Sequence, residues 1–401
     1  MKQLDFQNTE IAFKRMNNRQ LRHAYLIFKI LNHGALVQWA TKILLALMKA
    51  GFPIRPLIKG NVFSHFCGGE SIDKCLNIVN DLASYKVGTI LDFAIEGKTR
   101  EEDFEQTTEE IIRNIEFASV HSSIPFCVFK PTAIARFGLL EKQSSTSFLG
   151  AVEKSEFARV QRRFEAICEA AHKHGIPVFV DAEESWIQPI LDQLTEAMMA
   201  RFNLRKAIVF NTVQMYRHDR LEYLQRLYER AVTEGFYVGV KLVRGAYLEK
   251  ENERAAKMGV RSPIYPTKAA TDEAFDNAVR FCVEHADRFS ACAGTHNEKS
   301  TRLLVDMIAQ KGFEPSDIRF SFAQLLGMSD NLTFVLAHHG FNAAKYVPYG
   351  PIDEVIPYLT RRAAENASVR GQSSRELHYL EREFKRRKIS NQDVAGTVFA
   401  K

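Results

Sequence analysis

Eight short apolar runs, each closed by polar residues, recur through the chain from about residue 87 onward, and charged stretches of helical period separate them. They read VGTILDFAIE, PFCVFKPTAI, PVFVDAEES, AIVFNTVQMY, YVGVKLVRGAY, FSACAGTHN, IRFSFAQLLG and AAKYVPYGP. A strand that is apolar on both faces has to be covered on both faces, which is the condition of a parallel sheet clothed by helices. Three of the intervening stretches, EFARVQRRFEAICEAAHKHGI, LEYLQRLYERAVTEGF and TDEAFDNAVRFCVEHADRF, are amphipathic and turn directly into the next run. Eight consecutive strand–helix units predict an α/β fold, a distorted (β/α)8 TIM barrel preceded by an N-terminal helical section. An open doubly wound sheet would want a GxGxxG turn after its first strand, and LDFAIEGKTREED has none.

The expected organisation is a helical section over 1–85, the barrel over 86–372 and a charged C-terminal tail over 373–401. The 401 residues carry 54 Lys plus Arg against 48 Asp plus Glu, a formal charge of +6. From Arg361 to Lys388 there are nine basic and four acidic residues, a net of +5, so nearly all of the excess is local. That segment reads either as a solvated helix face with i,i+4 pairs or as a patch for anionic lipid head groups. No nucleic-acid partner is expected from so mild an excess. The six cysteines have no zinc-type spacing, and no metal site is expected. The start is too polar for a secretory segment. The stretch Ala35–Ile54 is interrupted by Gln38, Lys42 and Lys49 and fails as a membrane span, although Trp39, Leu44, Leu45 and Leu47 could form an apolar face against a membrane surface.

Active sites of (β/α)8 barrels are built at the C-terminal ends of the strands. There the sequence offers Asp92, Lys130, Asp181 with Glu183 and Glu184, Gln214, Lys241 with Arg244, His296 with Asn297, Gln324 and Tyr346. No GxSxG elbow, Walker loop or HExxH motif accompanies them. Fixed donors without a nucleophile suggest that a bound cofactor does the difficult chemistry. In KLVRGAYLEKE, Gly245 stands beside Lys241 and Arg244, a turn that could hold a pyrophosphate or be merely structural. Arg361 and Arg362 precede Glu365 by about one helical turn, and could clamp a carboxylate or form an exposed ion-pair face.

The motifs VDAEES, NTVQMYRHD, GVKLVRGAYLEKENERA, AGTHN, FAQLLGMSD and YLTRRAAENASV, in this order from about Leu91 to Gln372, resemble the flavin-dependent proline dehydrogenase family, closer to its mitochondrial and related bacterial branch. The resemblance implies a barrel that binds FAD, oxidises L-proline to 1-pyrroline-5-carboxylate as the first step of proline catabolism, and passes the electrons to a membrane quinone. By motif position it implies that Lys130, Arg361 and Arg362 hold the proline carboxylate. Asp181 would lie between substrate and flavin, and Glu365 would support the arginines and the flavin side chain. Ala246, Leu325, Tyr346 and Tyr358 would wall the proline ring. Gln214, Lys241, Val243, Gly245 and Ala246 would line the isoalloxazine, Thr267 and Lys268 the pyrophosphate or ribose, and His296 with Asn297 the adenosine end.

Two positions depart from the bifunctional bacterial relatives: Lys241 stands where they carry arginine, and Ala323 where they carry glutamine. Tyr346 is retained, which favours proline over hydroxyproline. The resemblance further implies a single-function enzyme that leaves pyrroline carboxylate to a separate dehydrogenase. It would work in the cytoplasm, or peripherally on the inner face of a membrane, the matrix side if eukaryotic. The alternatives are a hydroxyproline or other cyclic imino-acid dehydrogenase, a metal-dependent barrel lyase or hydrolase using Asp181, Glu183, Glu184 and His296, and a basic scaffold that binds lipid or nucleic acid.

Overall fold

A computed structural model describes residues 4–33, 63–94, 98–145, 148–356, 359 and 372–389. Eight parallel strands pair in sequence order, and the last pairs with the first, so the sheet closes into a barrel. The strands are β1 Gly88–Phe93, β2 Phe126–Phe129, β3 Val178–Val180, β4 Val209–Gln214, β5 Val238–Val243, β6 Phe289–Gly294, β7 Phe320–Leu325 and β8 Ala343–Tyr349, one within each of the eight apolar runs. The closing register sets Gly88 against Ala344 and Phe93 against Tyr349.

Among the described residues the α-helices of four or more residues are α1 Thr9–Ala12, α2 Asn18–Leu31, α3 Leu76–Ser84, α4 Glu101–Ser119, α5 Phe137–Ser144, α6 Ala151–His174, α7 Gln188–Phe202, α8 Arg220–Glu234, α9 Leu248–Met258, α10 Lys268–Glu284, α11 Glu298–Gln310, α12 Asp330–His338 and α13 Gln372–Arg387. Gly175 and Gly235 end α6 and α8 in the left-handed region, where a residue without Cβ carries no steric penalty.

One continuous apolar layer lies between sheet and helices, and a second, smaller cluster fills the barrel. That interior is lopsided. Phe126, Phe179 and Phe210 from β2, β3 and β4 pack as a stack with an edge-on third ring, centroids 4.4 and 5.5 Å apart. The facing strands contribute Gly239, Cys292, Ala323 and Ala344. Large residues opposite small ones fill a barrel without strain. Gly239 is required by this arrangement, because a Cβ there would lie 2.6 Å from the Phe210 ring and 2.7 Å from the Val209 carbonyl oxygen. Gly239→Ala is expected to destabilise the barrel by about 1–3 kcal/mol. An unchanged denaturation midpoint in urea would refute that packing.

The segment expected as a charged tail is, over Gln372–Arg387, a packed helix. Tyr379, Leu380 and Phe384 of α13 are buried against Ala12, Phe13, Leu21 and Phe28 from α1, α2 and their connection. Some of its basic residues also make contacts within the chain, although Arg382, Lys385, Arg386 and Lys388 are exposed. Arg387 donates to the carbonyls of Phe13 and Met16 at 2.8 and 2.7 Å, where α1 and the turn after it leave acceptors open, and also pairs with the buried Glu383. Arg382 reaches Gln7 Oε1 at 2.5 Å, and Arg386 pairs with Glu383. Over the described residues of this segment, six basic and three acidic residues leave +3, and Arg382, Arg386 and Arg387 have partners within the chain while Lys385 and Lys388 are exposed. The remaining tail and the apolar stretch Ala35–Ile54 lie outside the described residues. Among the described residues no helix is long and apolar enough to cross a membrane.

Candidate active site

The polar ends of the strands converge at the C-terminal mouth of the barrel, where successive inward positions along a strand step up from the apolar filling to the rim. On β3 the inward Phe179 is followed by Asp181, and on β5 Gly239 is followed by Lys241. Lys241 Nζ makes an ion pair and hydrogen bond with Asp181 Oδ1, and Tyr346 of β8 donates its hydroxyl to Asp181 Oδ2 at 2.9 Å. The ammonium also lies 5.0 and 4.9 Å from the centroids of Phe179 and Tyr346. Lys241 is only 5% exposed, so a cation that would be costly to bury alone is held by a carboxylate and two aromatic rings.

A second relay runs beside it. Glu183, buried just past β3, accepts from the Thr132 backbone N–H at 2.8 Å and from the Thr132 hydroxyl at 2.6 Å. Its own carbonyl accepts from the Gln214 side chain at 2.7 Å, and the Gln214 oxygen accepts from the Ala246 N–H at 3.2 Å. The loop after β2, which carries Lys130, is thus tied through Glu183 to Gln214 and on to the turn after β5. Burial pushes the Glu183 carboxyl up to about 7, against the pull of the Thr132 bonds and the Lys130 charge. Glu184 is buried and pairs with Lys250 at 2.7 Å. Glu183 is among the polar strand-end residues in the sequence, but its only specific role there is in the metal alternative; its position two residues beyond Asp181 is what marks it for the site.

Gly245 sits at φ +146, and a Cβ there would meet the Tyr216 ring at 2.5 Å, so this turn admits only glycine. The two cations flanking it do not converge as a pyrophosphate cradle would need. Lys241 points into the barrel onto Asp181. Arg244 points away, donating to Asp272 at 2.6 Å, the Thr295 hydroxyl at 2.6 Å and the Ser300 hydroxyl at 2.9 Å. Lys268 shares Asp272 with it. Thr267 caps α10 and Asn297 caps α11 through their side-chain oxygens, which leaves the Asn297 amide nitrogen as a donor. His296 Nδ1 is 2.8 Å from the Ser329 hydroxyl. Gln324 is engaged by the Thr295 carbonyl at 3.1 Å and the Thr333 hydroxyl at 2.8 Å, so it does not substitute for the glutamine missing at Ala323.

Val243, Leu325 and Tyr346 lie at the mouth, and Gly245 and Ala246 are exposed there. Arg361, Arg362, Glu365 and Tyr358, the larger part of the expected carboxylate clamp, lie outside the described residues. Among the described residues no three of His, Cys, Asp and Glu gather as metal ligands, so Asp181, Glu183, Glu184 and His296 do not form the metal centre of the lyase alternative.

A closed parallel barrel with an acid–lysine–tyrosine cluster and an amide relay at its C-terminal mouth is the architecture of a (β/α)8-barrel enzyme. The family model for proline dehydrogenase matches residues 75–375. The mitochondrial proline dehydrogenase 1 of Dictyostelium discoideum is 30% identical over 414 residues, covering 92% of this chain and 72% of its own. A Pectobacterium carotovorum protein named for carbapenem antibiotics biosynthesis is 35% identical over 328 residues, 82% of this chain and 85% of its own. The crystal structure of proline utilization A from Bdellovibrio bacteriovorus, inactivated by N-propargylglycine, superposes with a TM-score of 0.70 at 18% identity, a likeness of fold. The superposition covers 91% of this chain, which spans 38% of that longer one. This chain belongs to the proline dehydrogenase family.

Proposed function

We propose that the chain is an FAD-dependent proline dehydrogenase that oxidises L-proline to 1-pyrroline-5-carboxylate and hands the electrons to a membrane quinone. The observation that carries this reading is the cluster of Asp181, Lys241 and Tyr346 at the mouth of a family barrel. The residues at hand suit a flavin. The buried Thr212 hydroxyl has no hydrogen-bond partner among the described residues, and its residue is in register with Lys241. Gly245 and Ala246 allow close approach to exposed backbone, and the Gln214 amide is fixed by bonds on both sides. Gln214, Lys241, Val243, Gly245 and Ala246 would line the ring system. Thr267, Lys268, His296 and Asn297 would hold the nucleotide end, and Glu365 the flavin side chain. Bound there, FAD supplies the two-electron acceptor for the hydride lost from the ring carbon beside nitrogen.

The protein's own part is positioning and charge. Lys130, Arg361 and Arg362 would hold the substrate carboxylate, and their positive field favours the unprotonated amine that hydride loss requires. Asp181, anchored by Lys241 and Tyr346, offers a fixed anion at the cluster. Leu325, Tyr346, Tyr358 and Ala246 would confine the ring. By its place in the family motif Tyr346 would crowd a 4-hydroxyl group, so kcat/KM should favour proline over hydroxyproline.

The purified protein should carry or take up FAD and bleach anaerobically on adding L-proline. A protein that cannot be reconstituted with flavin would overturn the assignment. A second reading, that the product feeds antibiotic biosynthesis, rests on the name of the Pectobacterium relative. Loss of growth on proline after deletion of the gene would favour catabolism.

A further inference from the structure

The opposite, N-terminal end of the barrel holds a cavity of roughly 880 Å³, within the range of small-molecule sites. It follows from the lopsided interior. Ser290 and Ala344 are too small to meet Phe126 and Phe210 across the lower barrel, so the space between them opens toward the loops that precede the strands. Its inner wall is apolar apart from hydroxyl and thiol groups and the Asn342 amide, which is itself bonded to the Asp317 and Phe320 carbonyls. Its rim is not. The charged residues that line it are Lys86, Arg205, Lys206 and Arg319, with no acid among the described lining residues. Arg319 is neutralised by Asp317 at 2.6 Å. The side chains of Lys86, Arg205 and Lys206 meet no counter-ion among the described residues. Lys86 moreover holds φ +61, a left-handed position after α3 where glycine is the usual occupant, and so sets a cation at the rim. Ile318, 79% exposed, adds apolar surface to the lining.

We propose that this cavity binds a single-chain anionic amphiphile, an acyl carboxylate of medium length, with its tail among the small residues of the lower barrel and its head group on Lys86, Arg205 and Lys206. An apolar interior with an uncompensated cationic rim matches such a ligand in both parts, whereas a cation or a multiply polar ligand would lose solvation without replacement. The site is at the far end of the barrel from Asp181 and does not depend on the reaction proposed there.

Calorimetric titration of the purified protein with hexanoate, octanoate and decanoate, each below its micelle concentration, tests this. Each added pair of CH2 groups should tighten binding roughly fifteenfold until the cavity is filled. The charge reversal Arg205→Glu with Lys206→Glu should weaken decanoate binding at least tenfold while leaving the fold intact by circular dichroism. Ser290→Leu should block it by occupying the space. Three results would each overturn the proposal: no binding of decanoate, equal binding of decyltrimethylammonium, or binding to phosphatidylglycerol vesicles without binding of free decanoate.

Discussion

Lys241→Met is expected to lower kcat/KM for L-proline by about 10²–10³, the scale of removing one preorganised charged partner from a buried site. The substitution keeps the side-chain length and the contacts with Phe179 and Tyr346 but leaves Asp181 with the Tyr346 hydroxyl as its remaining described bond from this cluster. Tyr346→Phe removes a single hydrogen bond to the same carboxylate and should cost less, about 10- to 100-fold, because one bond to a charged acceptor contributes about 1.5–3 kcal/mol. Lys241→Arg should fall between them, since the planar fork cannot replace a compact ammonium over two ring faces. Steady-state kinetics with flavin occupancy measured in parallel decides the matter. Activity within threefold of wild type for Lys241→Met, with flavin fully bound, would remove Lys241 from the site.

The second large effect concerns stability. Lys345 of β8 points outward from the barrel, 1% exposed, with its ammonium 2.7 Å from Asp330 Oδ1 and hydrogen-bonded to the Met328 carbonyl. Burial depresses its proton affinity, and the Asp330 charge counters that. Around it, Ser329 is held at φ +51, and its N–H donates at 2.9 Å to Glu376, a buried carboxylate of α13. Lys345→Met strands Asp330 in a low-dielectric setting and is expected to cost about 3–5 kcal/mol. Lys345→Met with Asp330→Asn should recover most of that loss, because no uncompensated charge is then buried. Thermal unfolding of the wild type and the two variants measures the difference. A double variant no better than the single one would show that the ammonium supports the carbonyls rather than the acid.

The barrel was legible because its signal is repetitive. Each strand is a run that must be buried on both faces, and the glycines that end α6 and α8 mark where chain direction reverses. The mouth residues were legible as strand ends, which a barrel brings together whatever their distance in sequence. Directions of side chains were not. Lys241 and Arg244 are three residues apart on an extended strand and its exit, so they leave on different faces, and only the tertiary partners Asp181 and Asp272 show which cation serves the site. The Lys345 pair was hidden for the opposite reason: a lysine inside the apolar run AAKYVPY was a clue to a buried counter-ion, but its partner lies fifteen residues earlier on another element. Likewise the i,i+4 pair of Glu383 with Arg387 could be read from spacing, whereas the capping of Phe13 and Met16 carbonyls by Arg387 spans the whole chain.

That last contact carries a consequence for how the protein is made. The apolar face of α2, with Leu21, Ala24, Ile27 and Phe28, is covered by α13, whose first residue follows Leu31 by some 340 positions. At about 5–20 residues per second, a ribosome needs roughly 17–70 s to supply the covering helix. During that interval α2 waits with its greasy side uncovered by α13, so chaperone demand should be set by these N-terminal helices rather than by the barrel.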